Sequence, residues 1–497
     1  MSEKGRDYFG ESGLEKVCML EYSDVIDPPE LIPKPMKDIA WRNGISAIAC
    51  SGQEKKAATI AKNVISQKDQ EAAFYDPFMN RNVAHPTSDF ETFVHLLKGS
   101  LGTGMLAMPM AFKNSGLFVG LVGSIVVGYV CTYCVHMFVR ASHVLCHRHQ
   151  LPAIGFQKIV ELSFLEGPEC LKKFSKAAGY VINFGLLTEL LGVCSAYVLF
   201  VAKSMKQIVE HYWHVDMSVQ VYMAIMLPVL ITINLTRNLR HLTPLSMISN
   251  VLFLLGVFVS FYYIFEDLPP ISSRPASFSS WGQLPLFFGT TIFALEGIGV
   301  VMPLENNMKN PKHFISCPGV LHIGMVFLII LYAITGFFGY LKYGDKVEAS
   351  ITLNLPVETM LGQFLKTIVA IAVFLTYFLL FYAAMDLLGI VNGRRFKTRP
   401  LLKENIVRIL TVIGTVVVAG LFPNLGPFLS LIGAFSLCVV GLIFPPIIDT
   451  LIYYREGLGR LKWRLWKNGV ILACGVLGLV TGTMISLQEF VESMGGA

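Results

Sequence analysis

After Phe90 the chain is a succession of apolar runs, each long enough to cross a bilayer as a helix of about 20 residues. Hydrocarbon offers no partners for backbone N–H and C=O groups, so such runs fold as helices whose polar backbone is satisfied within each segment. Eleven spans are expected, at 90–113, 116–139, 177–202, 218–236, 245–265, 283–304, 319–341, 361–384, 405–422, 425–450 and 468–488. The expected fold is an all-α integral membrane protein. Residues 89–490 form the transmembrane domain and 491–497 a short outer C-terminal tail. Residues 1–88 are polar, mixed in charge and without sustained periodicity, and read as a cytosolic, mostly disordered tail. The first apolar run begins near residue 90, so no secretory signal peptide is expected.

The loop charges orient these spans. Twenty Lys and Arg fall in the loops on one side, against six on the other. The excess marks the cytoplasmic face and places the N-terminus inside and the C-terminus outside. The net charge of +6 therefore belongs to membrane orientation, and no nucleic-acid partner is expected. Cys131, Cys134, Cys194, Cys438 and Cys474 lie in spans, and Cys18, Cys50, Cys146, Cys170 and Cys317 on the inner side. No cysteine falls in an outer loop, so no structural disulfide is expected there. The inner loop 141–176 contains Pro152, Gly167 and Pro168 and leaves room for a short surface helix.

Two spans are interrupted. The first contains His95-Leu-Leu-Lys-Gly-Ser-Leu-Gly-Thr-Gly-Met-Leu-Ala-Met-Pro109, and the sixth Phe293-Ala-Leu-Glu-Gly-Ile-Gly-Val-Val-Met-Pro303. Small residues in membrane helices often serve close packing. A dense glycine cluster followed by proline instead favours an unwound segment, tolerated only where it lines a cavity. A phosphate-binding loop is excluded, because no strand precedes the glycines and no Gly-Lys-Ser/Thr follows. Paired breaks in corresponding positions of two halves point to a transporter's binding site. At the first break, N–H groups around Ser100, Leu101, Gly102, Thr103 and Gly104 can receive a carboxylate at a half-helix N-terminus. At the second, the carbonyls of Phe293, Ala294 and Leu295 can accept hydrogen bonds from an ammonium. Together they suit a zwitterion.

Several side chains carry two readings. Phe293 either lids the site or packs against neighbours. Tyr197 in the third span, and Thr376 and Tyr377 in the eighth, either line the site or pack. Glu296 is an ionisable group within the membrane, functional by default; it either carries a proton or tethers unwound backbone. His95, just before the first break, either changes charge near neutral pH or is simply interfacial. Glu189 is a second mid-span acid, for a proton path or an interior tie. Asp386 and Asp449, near inner helix ends, read as capping or inner-gate residues. Cys131-Thr-Tyr-Cys134 has no second pair, and His143, Cys146, His147 and His149 read as a basic interfacial cluster, so no metal site is expected. No cofactor is expected beyond a co-transported proton. No nucleophile–base–orienter set lies within the spans, so an enzyme is not expected. In the tail, Tyr22-Ser-Asp-Val25 and Asp27-Pro-Pro-Glu-Leu-Ile32 match short patterns read by sorting adaptors.

The stretch from His95 to Gly104, with Pro109, resembles the first-helix signature of the proton-coupled amino-acid transporter family, within the amino acid/auxin permease group. Phe293 to Gly299, followed by Pro303-Leu-Glu-Asn-Asn-Met308, resembles its sixth-helix signature; Cys194-Ser-Ala-Tyr197 and Phe381-Tyr382 extend the similarity over roughly residues 85–490. The resemblance implies a five-plus-five inverted repeat with broken helices 1 and 6 and an eleventh helix. It implies sodium-independent symport of a proton with small neutral amino acids, at the plasma membrane or at late endosomes and lysosomes. His95 matches the family's histidine associated with proton coupling. The alternative is a low-capacity amino-acid sensor signalling nutrient status to growth control. Some members carry an outer-loop disulfide, for which this chain lacks the cysteines.

Overall fold

The structure, a computed structural model, describes residues 76–83, 85–236, 243–278, 280–295, 297–390, 400–455, 457–459 and 462–495. Both sorting patterns and Glu296 lie outside the described residues. Among the described residues the regular structure is helical, apart from one isolated bridge between Thr87 and Met308.

All eleven expected spans are helical. The first is split into α1 (Asp89–Ser100) and α2 (Thr103–Ser115). The second is α3 (Leu117–His149). The inner loop after it carries α4 (Phe156–Glu166) and α5 (Glu169–Lys172), one helix more than expected. Spans three to five are α6 (Ser175–Trp213), α7 (Val219–Asn234) and α8 (Thr243–Phe265). The sixth is again split, into α9 (Leu284–Leu295) and α10 (Ile298–Asn306). Then come α11 (Val320–Tyr343), α12 (Met360–Leu387) and α13 (Pro400–Leu421). The tenth span is α14 (Leu425–Ile432), a π-helical stretch over Gly433–Ile443, and α15 (Phe444–Ile452). The last is α16 (Trp463–Gly495).

The helices overrun the hydropathy limits. α3 has 33 residues and α6 has 39, because a helix continues into water where hydropathy no longer marks it. α1 starts where Ser88 and Glu91 form a reciprocal capping box, which satisfies N–H groups that have no intrahelical partner. α2 ends at Gly116, whose φ of 80° favours a residue without Cβ.

Close helix approach holds the two split spans together. α2 packs against α9 and α11, and α9 also meets α14 and the π-helical stretch. A Cβ at Gly104 would lie 2.6 Å from the Cα of Ala294, and one at Gly433 would lie 2.0 Å from the Gly289 carbonyl oxygen. Without hydrophobic drive between helices in lipid, such small-residue contacts supply the van der Waals packing. The π-helical stretch starts at Gly433, so the tenth span is widened where α9 presses on it.

Residues 76–83 and 85–88, which the sequence places in the tail, pack on the ends of α3 and α10. Thr87 accepts from the Lys309 N–H and donates to the Asn307 carbonyl, both at 2.9 Å. No disulfide links the described cysteines.

Candidate functional site at the paired helix breaks

The first break is two residues long. Leu101 and Gly102 adopt extended backbone between α1 and α2. Gly99 and Gly104 lie within the helices, so the cluster divides its work. Gly102 opens the chain, with no side-chain cap on α2. Gly104 lets α2 touch α9. Thr103 and Gly104, in the first turn of α2, have no carbonyl one turn behind them to receive their N–H groups. The expectation of an unwound glycine segment and the competing expectation of glycine packing both hold, at different positions.

The second break lies between Leu295 and Ile298, with Gly297 at φ −128°, ψ 12°. It faces the first: a Cβ at Gly297 would meet the Ser100 hydroxyl oxygen at 3.0 Å, and one at Gly99 would meet Val300 at 3.2 Å. The last carbonyls of α9, through Phe293, Ala294 and Leu295, have no intrahelical donors. Each break thus presents a half-helix N-terminus and a half-helix C-terminus, with partial positive and negative charge respectively.

Side chains around the breaks are polar and buried. Tyr197 of α6 is buried beside the first break, where a Cβ at Gly102 would meet its hydroxyl at 3.8 Å. Ser100 Oγ and Thr291 Oγ1 are buried without hydrogen-bond partners in the protein. A buried hydroxyl left so costs about 1–3 kcal/mol. Glu189 of α6 approaches the second break: its Oε1 would lie 3.6 Å from a Cβ at Gly299. His95 is half-buried on α1, and its Nδ1 is buried without a partner.

Two aromatic candidates are placed differently. Phe293 is buried, with its N–H facing Gly433 across the α9 contact. Tyr377 lies 2.9 Å from Thr415 of α13 through its hydroxyl and stacks on Phe381. Its carbonyl lies 3.9 Å from Cys194 Sγ, so Tyr377 ties α12 to both α13 and α6.

Sequence reasoning passed over two groups. Tyr332, mid-span in α11, donates to the Ser100 carbonyl at 2.5 Å; it satisfies one carbonyl where α1 stops. Its signal was a tyrosine inside an otherwise apolar run. The other group lies at the inner end of α10. Arg81 meets the Glu305 carboxylate at 3.0 Å and the Glu305 carbonyl at 2.9 Å, and donates to the Pro152 carbonyl at 2.8 Å. His143 of α3 lies 2.7 Å from the same carboxylate. Nothing in the sequence pairs Arg81 with a residue 224 positions away. The His143–His149 cluster divides between two acids, since His149 faces Glu166 at 2.9 Å. Asp449 accepts from Asn468 at 2.8 Å and lies 3.5 Å from Lys467, tying α15 to α16.

The sequence profile described as "transmembrane amino acid transporter protein" matches residues 85–488. The chain is 41% identical over 419 residues to the proton-coupled amino acid transporter-like protein pathetic of Drosophila melanogaster, covering 84% of this chain and 88% of that protein. It is 27% identical over 458 residues to the probable amino acid transporter skat-1 of Caenorhabditis elegans, covering 88% and 97%. Among solved structures, a nucleobase-cation-symport-1 family transporter aligns at TM-score 0.46 and 13% identity over 83% of this chain and 93% of that one.

Proposed function

Because the chain belongs to the transmembrane amino acid transporter family, we propose that it carries small neutral amino acids across the membrane together with a proton. The carrying observation is the apposition of the two breaks, with Gly297 against Ser100 and Gly104 against Ala294. A zwitterion between them would place its carboxylate on the N–H groups of Gly102, Thr103 and Gly104. Its ammonium would meet the carbonyls of Phe293, Ala294 and Leu295. The hydroxyl of Ser100 gives a further polar contact, and Tyr197 bounds the space beside Gly102.

In this reading, water exclusion strengthens both contacts, since unpaired backbone groups in a low-dielectric site favour a charged partner. The proton travels on His95 or Glu296, with Glu189 beside the second break. α1, α2, α9 and α10 then shift against the remaining helices to open the opposite face. The resident membrane is the plasma membrane or a late endosomal or lysosomal one, with the N-terminus in the cytoplasm.

Carrying a neutral zwitterion with H⁺ moves net charge. Acidifying the source side should therefore produce an inward current that depends on added glycine, alanine or proline, and Gly102→Val should remove it. Sodium-driven flux indifferent to the pH gradient would overturn the reading.

A further inference from the structure

A groove runs between α3 and α11, open to the lipid side. Its volume is about 470 Å³, and it is lined by Ile125, Tyr129, Thr132, Tyr133, His136, His322, Val326, Ile329 and Ile330. We propose that it binds a membrane sterol from the cytoplasmic leaflet.

Depth is the first argument. Arg140 marks the inner edge of the second span, and His136 lies one helical turn inside it. From His136 to Ile125 is eleven residues, roughly 16 Å along a helix, about half of a ~30 Å hydrocarbon core. The groove is one leaflet deep. Its polar end lies near the cytoplasmic interface and its apolar end near mid-membrane.

Polarity is the second argument. His136 and His322 face each other with ring centroids 5.2 Å apart. Nδ1 of each is buried without a hydrogen-bond partner. A buried polar atom usually has a partner. A single hydroxyl both donates and accepts, so one entering between the two rings can bridge them. None of the lining residues is Lys or Arg, and the neighbouring Lys467 ammonium is already engaged by Tyr133 and Asp449.

Shape is the third. Tyr129 and Tyr133, one turn apart, are nearly parallel, with an interplanar angle of 17°. Stacked in this way, they line the groove together with the branched side chains Val326, Ile329 and Ile330. Tyr133 is held in place from below, its hydroxyl accepting from Lys467 of α16 at 2.8 Å. The helices meet along one side of the groove, where a Cβ at Gly128 would lie 2.5 Å from Ile329. A rigid, flat ring system loses little conformational freedom on binding such a slot, whereas a flexible acyl chain loses more.

The groove also borders the moving parts. A Cβ at Gly324 of α11 would lie 2.6 Å from Leu96 of α1, so the sterol wall and the first half-helix are in contact.

The test uses purified full-length protein and radiolabelled cholesterol, with a photoreactive cholesterol analogue for mapping. Wild type should bind cholesterol saturably, with the photolabel on residues 125–136 or 322–330. His136→Phe combined with His322→Phe should weaken binding about tenfold, the worth of one or two hydrogen bonds. Val326→Trp, at a lipid-exposed position in the mouth, should abolish saturable binding. Size-exclusion behaviour and amino-acid uptake in sterol-free liposomes report whether the variants fold. If they do not, the position of the label on wild type decides alone. Absence of saturable binding, labelling elsewhere, or displacement by equimolar palmitate or phosphatidylserine overturns the proposal.

Discussion

Tyr332 of α11 donates its phenolic hydrogen to the carbonyl of Ser100, the residue at which α1 ends. A helix that stops inside a membrane leaves carbonyls without donors, and each one unsatisfied in an apolar setting is costly. Tyr332 removes part of that cost from the neighbouring helix and fixes where the first half-helix stops. Tyr332→Phe keeps the ring and deletes the donor. It should destabilise the protein by about 1–3 kcal/mol, read as a lowered midpoint in thermal unfolding of the purified protein. An unchanged midpoint would mean that the carbonyl finds another partner.

The two glycines of the first break should respond differently to the same change. Gly104→Ala drives a methyl to 2.6 Å from the Ala294 backbone, and overpacking of this kind costs about 1–3 kcal/mol. Gly102→Ala meets only the Tyr197 hydroxyl at 3.8 Å, on extended backbone that any residue adopts. The former should lower folded yield, and the latter should leave yield intact and act on uptake. Gly420→Ala, with nothing within 4 Å, is the matched control. Equal yields for all three would contradict the packing role of Gly104.

At the C-terminal end of α10, Arg81 and Glu305 form an ion pair whose side chains are 4% and 0% exposed. Arg81→Ala leaves the buried Glu305 carboxylate with His143 alone, a loss of about 3–5 kcal/mol. Combining it with Glu305→Gln should restore part of that, since the buried charge goes too. A double-mutant cycle on unfolding midpoints measures the coupling; strict additivity would show that the pair is not coupled.

Acid should loosen the inner loop. Burial alone would raise the Glu166 carboxyl, but hydrogen bonds from His149 and Arg148 outweigh it and hold the group below its ordinary value of 4.5. A depressed folded value means that the contribution is complete above the unfolded value and is lost as pH falls through the folded one. Wild type should therefore lose more stability than Glu166→Gln as pH drops below about 4.5, with proteolysis of the 150–174 loop as the readout. Parallel pH profiles for the two proteins would exclude the effect.

How far the sequence reached depends on what kind of contact each feature needs. Spans were legible because lipid imposes length residue by residue. The breaks were legible because Gly and Pro act locally. The division of labour between Gly102 and Gly104 was not, since it depends on Ala294, nearly two hundred residues away. Tyr377 read as a site candidate on its helical position, yet its hydroxyl sits beside Thr415, a partner that no spacing rule names. Arg81 gave no local signal, because a single arginine in a polar segment looks like any solvated charge. The π-helical stretch begins at Gly433, which packs against the carbonyl of Gly289, again a contact between distant segments.

The short segment 76–88 has a practical consequence. Through Thr87 and Arg81 it is stitched to Lys309, Asn307 and Glu305, at the end of α10. Cutting or tagging the chain at residue 88 would therefore disturb the inner end of the sixth span as well as remove the tail. A deletion ending before Asp76 would spare those contacts. Comparing the two truncations separates loss of a trafficking address from a broken hinge, two defects that a single N-terminal deletion would report as one.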